Sequence, residues 1–147
     1  MALVSLPEAL VHLRADAGDA KVPPLLAAAE RFAVERLARH VYLTQGELDT
    51  ARLDAPVALD TARTAYTAAM EAATVVEDEV LRATSERYAA EAYVIAAYES
   101  DRARNGIVVN DDIKAAILLK LEELYYGEDT VRAVDSLLAP HRAGMGV

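Results

Sequence analysis

The sequence predicts an all-α protein, a small helical domain interrupted by a long Ala-rich helical segment. Three observations carry this. Apolar residues recur at three- and four-residue spacing along most of the chain, the period of a helix that buries one face. Alanine, the strongest helix former, supplies about thirty of the 147 residues, with one Phe and no Trp. After Pro56 no Gly or Pro occurs until Gly106, leaving about 50 residues without a breaker, a length that would make a rod of roughly 75 Å if unbroken.

The elements follow in order. Ser5 and Glu8 have capping-box spacing and Pro7 sits in the first turn, which places a helix over residues 6–14. Residues 15–19, with Gly18 between acidic residues, read as a turn. A second helix is expected over 23–42, with Leu26, Ala29, Ala33, Leu37 and Val41 as its stripe, widened by Leu25 and Phe32. On its polar side Arg31, Glu35 and Arg39 stand four apart. Residues 44–47 end it, and Thr44 and Glu47 can cap a short following segment. Asp54, Ala55 and Pro56 give the clearest restart, an N-cap candidate followed by Pro in the first turn. From there Ala62, Tyr66, Ala69, Ala73, Val76 and Val80 form one stripe. It resumes out of phase at Leu81, Tyr88, Ala92, Ile95 and Tyr98. That slip, with Glu77, Asp78 and Glu79 at the same place, fits a turn. Asn105-Gly106 is a stop, and residues 107–109 read as an extended link.

Asn110 or Asp111 then caps a helix in which Ile113, Ile117, Leu121 and Leu124 make one stripe. Leu118 and Tyr125 make a second, and Leu119 and Tyr126 a third. A helix apolar over most of its girth is buried on several sides, and in so small a domain one of those sides is expected against a neighbouring subunit. Gly127 ends it. A short helix runs from Asp129 or Thr130 to Ala139, and Pro140 stops it. The remaining tail, with Met145 and Val147 beyond Arg142, is too apolar for a free end.

The two ends resemble the head–tail connector (adaptor) proteins of long-tailed bacteriophages. Ser5 to Arg14 is similar to that family's opening SLxEAxxHLR. Ile113-Lys114-Ala115-Ala116-Ile117-Leu118-Leu119 leading to Leu124-Tyr125 resembles its helix IKxAILLxxxxLY, and Leu137-Leu138-Ala139-Pro140-His141-Arg142 resembles its ending LLxPxR, with His141 where Tyr is commoner. The resemblance covers residues 1–45 and 105–147 and implies a structural virion protein. Its subunits would form a ring, typically twelve-fold, between the portal and the head-closure or tail-completion protein, with DNA passing through the centre. It implies portal or partner contact through Leu137, Leu138, Pro140, His141, Arg142 and Met145. It leads us to expect a subunit-interface helix through Ile113, Ile117, Leu118, Leu119, Leu121 and Tyr125. In the family the helices flanking the middle region pack together across a shorter link. Residues 47–104 are therefore expected to be an inserted helical hairpin that leaves the core (1–46 and 105–147) and returns to it. The expected site of action is the virion neck, after synthesis in the host cytoplasm.

The rest of the sequence argues against chemistry. The net charge of −9 repels phosphate, so tight DNA binding is not expected and passage through the ring would be non-specific. No Glu-x-x-His pair occurs, as a di-iron bundle would need: Glu8 and His12 are four apart, and neither His40 nor His141 has a Glu three residues before it. His12 reads as a helix-surface or core-edge residue and His40 as a partner of helix-end carbonyls. No nucleophile elbow, P-loop or dinucleotide motif is present. The acidic run 77–79 reads as a solvated tip, and Tyr66, Tyr88, Tyr93 and Tyr98 as packing residues. No catalytic, metal or cofactor site is expected, nor an enzyme. No apolar run reaches the ~18 residues of a membrane span, and no Cys is present. The competing expectation is a generic helical coiled-coil adaptor of cellular origin.

Overall fold

The computed structural model describes residues 2–143, and the expected contact at Met145 lies outside them. The fold is all-α in character: six α-helices and two strands of two residues each among the described residues. The chain divides into two compact units, one of residues 1–45 with 106–147 and one of residues 46–105.

The first unit contains α1 (Leu6–Leu13), α2 (Val22–Leu37), β1 (Val41–Tyr42), β2 (Ile107–Val108), α5 (Asp111–Tyr126) and α6 (Val131–Leu138), followed by a single 3-10 turn, Ala139–His141. Local chemistry sets the helix ends. Ser5 and Glu8 close a reciprocal capping box on α1, with the Ser5 amide donating to Glu8 Oε2 at 2.9 Å and the Glu8 amide to Ser5 Oγ at 3.3 Å. Asn110 Oδ1 accepts from the Ile113 amide at 2.9 Å and starts α5. Gly127, at φ 79°, ends α5 in the left-handed region that glycine enters without strain. The α2 end is less comfortable: Ala38 adopts φ 54° without glycine's freedom.

Ala38 stops α2 before residue 42, the end expected from its stripe, and residues 41–42 become a strand instead. Val41 pairs in parallel with Ile107 and Tyr42 with Val108. The Ile107 amide donates to the His40 carbonyl at 3.0 Å and the Val109 amide to Tyr42 at 2.8 Å. The helical spacing that includes Val41 is overridden because β-branched and aromatic residues find a ladder partner 66 positions on.

The core of this unit gathers around α5. Ile113, Ala116, Ile117 and Leu121 have no exposed surface, nor do Ala29, Ala33 and Leu37 of α2, Val134 and Leu138 of α6, or Ala9 of α1. Alanines on α2 let its backbone approach α5 closely. The Glu30 carboxylate accepts from the Leu3 and Val4 amides at 2.6 and 2.9 Å, holding these two buried residues over the same core.

The second unit contains α3 (Gln45–Ala73) and α4 (Glu79–Arg104), which run in opposite directions. Arg52 Nε donates to the Arg104 carbonyl at 3.2 Å, Ser100 Oγ donates to the Ala55 carbonyl at 3.0 Å, and the Tyr66 and Tyr93 rings stack at 5.4 Å. Asp78 caps α4, its Oδ1 accepting from the Val80 and Leu81 amides at 2.9 and 3.0 Å. Two expectations are corrected here. Pro56 does not restart a helix but lies inside α3; it costs one backbone hydrogen bond, and the packing of the buried Ala55 at the preceding position carries the helix through. The second stripe also faces the wrong way. Leu81, Tyr88, Ile95 and Tyr98 are 55 to 63% exposed, while Ala89, Tyr93, Ala96 and Ser100 are among the half-buried positions of α4.

Two truncations on α5 separate core from edge. Ile117→Ala should cost about 2–5 kcal/mol, because a fully enclosed side chain leaves a cavity. Leu124→Ala, at a position 38% exposed, should cost about 1 kcal/mol or less. Urea unfolding of both variants checks this, and equal losses would contradict the packing described.

Candidate interaction surface

The C-terminal residues that the sequence marks as contact groups come together on one side of the first unit, with α6 as their base. Asp135 organises them. Arg36 of α2 meets its carboxylate with two parallel bonds, Nε to Oδ1 at 2.7 Å and Nη2 to Oδ2 at 2.6 Å, across 99 positions of sequence. Arg142 adds a third, Nη2 to Oδ1 at 3.0 Å. The Arg36 side-chain bonds hold the Asp135 carboxyl below its ordinary range, against the opposing effect of partial burial, with the charges of Arg36 and Arg142 helping. Next to this triad His141 Nε2 lies 2.9 Å from Asp112 Oδ2 and 3.4 Å from Asn110 Nδ2. The Ala143 amide donates to the Leu37 carbonyl at 3.0 Å, satisfying one of the open carbonyls at the end of α2.

The sequence-predicted contact residues therefore divide. Leu138 is fully buried and belongs to the core of its own subunit, which removes it from the contact set. Leu137 is half-buried against that core. Pro140 is exposed, and His141 and Arg142 are half-buried and tied to carboxylates of their own chain. Residues 141–143 are hydrogen-bonded to α2, α5 and α6.

The expected interface helix divides in the same way. Ile113, Ile117 and Leu121 have no exposed surface. The side of α5 that carries them is covered by α1, α2 and α6. Leu118, Leu119 and Tyr125 are only partly covered. The Tyr125 hydroxyl donates to Asp19 Oδ2 at 2.7 Å; this raises the tyrosine's pKa and lowers the aspartate's. Tyr126 donates to the Leu13 carbonyl at 2.6 Å. Lys120 pairs with Glu123, the main cause of that carboxyl's lowered pKa, and lies over the Phe32 ring at 4.5 Å. Thr130 Oγ1 donates to the same Glu123 at 2.8 Å and so links the start of α6 to α5.

Sequence reasoning missed Arg36 and Asp135. Each sits on an ordinary polar helix face, and no local pattern pairs residues so far apart. The usable signal was Arg142, a fork-shaped cation beside an apolar tail, which needed a carboxylate somewhere. Among the described residues no group of acidic or histidine side chains is placed to hold a metal, and no helix is long and apolar enough to cross a membrane.

The Asp135 triad predicts a pH dependence. Because its carboxyl titrates lower in the folded chain than in the unfolded one, its stabilising effect is complete above the ordinary aspartate range and is lost as pH falls below about 4. Asp135→Asn should flatten that part of the stability profile while keeping α6 helical. Urea midpoints measured from neutrality to about pH 3 test it, and parallel profiles for the two proteins would contradict it. In comparisons of this chain with known proteins, no family model, curated protein or solved structure matches.

Proposed function

We propose that this chain is a structural subunit of a tailed-phage neck, assembling as a ring between the portal and the head-closure or tail-completion protein. In this reading residues 1–46 and 105–147 form a connector domain, and residues 47–104 form a helical hairpin inserted into it. The observation that carries it is spatial. The two segments resembling the connector family are separated by residues 46–104, yet both belong to one packed unit. Ala9 and Leu13 of the first share a core with Ile113, Ile117 and Leu138 of the second.

The surface around Pro140, His141 and Arg142 suits docking. Its side chains are pre-positioned by Asp135 and Asp112, so little ordering entropy remains to be lost when a partner binds. Leu118, Leu119 and Tyr125, half-covered in the single subunit, are the part of α5 that a neighbour could complete. The net charge of −9 suits a ring wall past which DNA slides without being gripped. The exposed row on α4 favours the second reading, a helical adaptor of cellular origin that acts through its long helices alone.

Truncation after Pro140 tests the proposal. The core residues Val134 and Leu138 remain, so the shortened chain should stay helical and soluble with a modest loss of stability. It should no longer join filled heads to tails in a reconstitution assay. Full joining by the truncated protein would exclude the C-terminal surface as the docking element. No joining by the intact protein would favour the cellular adaptor.

A further inference from the structure

Two arginines share the carboxylate of Asp135, and they hold it unequally. Arg36 takes both oxygens in a full fork, Nε to Oδ1 at 2.7 Å and Nη2 to Oδ2 at 2.6 Å. Arg142 makes one bond, Nη2 to Oδ1 at 3.0 Å, on an oxygen that Arg36 already occupies. The bonds from Arg36 are the largest cause of the lowered Asp135 carboxyl, and the bond from Arg142 is the smallest.

The fork of Arg142 is therefore half-used. Its Nε is shielded from solvent and has no acceptor among the described residues. A donor cut off from both water and an acceptor is rare and destabilising. The side chain as a whole is not enclosed, with 29% of its surface exposed. Detaching it would leave no charge of its own chain unpaired, because Asp135 keeps its two-bond partner on α2.

The surroundings suit an exchange. Arg142 follows the 3-10 turn Ala139–His141 in extended backbone, at φ −67° and ψ 142°, beyond the last core residue, Leu138. Exposed Pro140 and half-buried Leu137 give the site a partly apolar rim. Arg132 stands one turn before Asp135 on α6, where residues three apart are surface neighbours; it is exposed and pairs with no carboxylate among the described residues. The nearest acidic residue before it, Asp129, is turned to the Val131 amide at 3.1 Å, and Asp112 is occupied by His141. Three guanidiniums thus stand beside one carboxylate, in a protein whose net charge is −9.

We propose that Arg142 is an exchangeable fork: on docking it leaves Asp135 and takes, through Nε and Nη2, an aspartate or glutamate carboxylate of the partner protein. This rests on the reading of the C-terminal surface as a docking site and names the chemistry that the surface recognises. Arg36 keeps Asp135, so the join between α2 and α6 survives the exchange. Arg132 adds attraction for the same acidic segment. The apolar rim fits a peptide, and the negative charge of the chain disfavours the polyphosphate of nucleic acid.

The test uses the full-length protein with a hexaglutamate peptide as the probe, followed by NMR of the arginine Nε–H groups. The peptide should shift the Arg142 signal saturably and leave that of Arg36 in place. Arg142→Lys should weaken binding about tenfold, because a point charge replaces the fork, and Arg142→Gln should abolish it. In urea, Arg142→Gln should unfold near the midpoint of the parent protein and Arg36→Gln clearly below it; equal losses would overturn the exchange. An unmoved Arg142 signal, or undiminished peptide binding by Arg142→Gln, would overturn the site. Tighter binding of inorganic phosphate than of the peptide would overturn its assignment to a protein carboxylate. Peptide binding by a protein that cannot join heads to tails would uphold the carboxylate site and sink the neck role. Full joining by Arg142→Gln would sink the site and leave the neck role standing.

Discussion

The first unit depends on the burial of α5. Four of its residues, Ile113, Ala116, Ile117 and Leu121, are sealed from solvent by α1, α2 and α6, and each other feature of the unit can be traced to keeping that helix covered. The capping box holds α1 in place, the Glu30 carboxylate pins Leu3 and Val4 over the core, and Arg36 bridges α2 to α6 through Asp135. Burying Ile113, Ile117 and Leu121 contributes roughly 1.5–3 kcal/mol each. The exposed ion pairs around them contribute far less and mainly set the angles at which the helices meet.

The parallel pairing of Val41–Tyr42 with Ile107–Val108 is the second constraint. It is only two residues long, but it brings together the points where the chain leaves the first unit and where it returns. Stability in the α3 and α4 pair has a different source. Leu48, Ala55 and Ala73 of α3 are buried and no residue of α4 is, so helix propensity carries much of what a conventional core would supply. Such a pair leaves its larger side chains outside.

Signals confined to a few neighbouring residues were legible in the sequence. Ser5 with Glu8, Asn110, and Gly127 mark helix ends because capping is local chemistry, and the acidic run with its phase slip marks the Thr74–Asp78 break between α3 and α4. The girth of α5 correctly indicated burial on several sides. What could not be read was which partner does the burying: the periodicity of Ile113, Ile117 and Leu121 is the same whether the covering helix belongs to one subunit or to the next. For the same reason Leu81, Tyr88 and Ile95 gave a regular stripe with no indication that it faces outward, and Pro56 looked like a boundary because packing at Ala55 is invisible along the chain. Arg36 and Asp135 form the triad's main contact across 99 positions, a distance over which no single-sequence pattern reaches.

The most direct test of a ring-forming neck protein is electron microscopy of the purified full-length chain, negatively stained, alone and mixed with its portal. Closed rings of uniform diameter with an open centre, alone or seated on the portal, are the expected result. Only monomers or two-fold dimers, with the portal left bare, would contradict it.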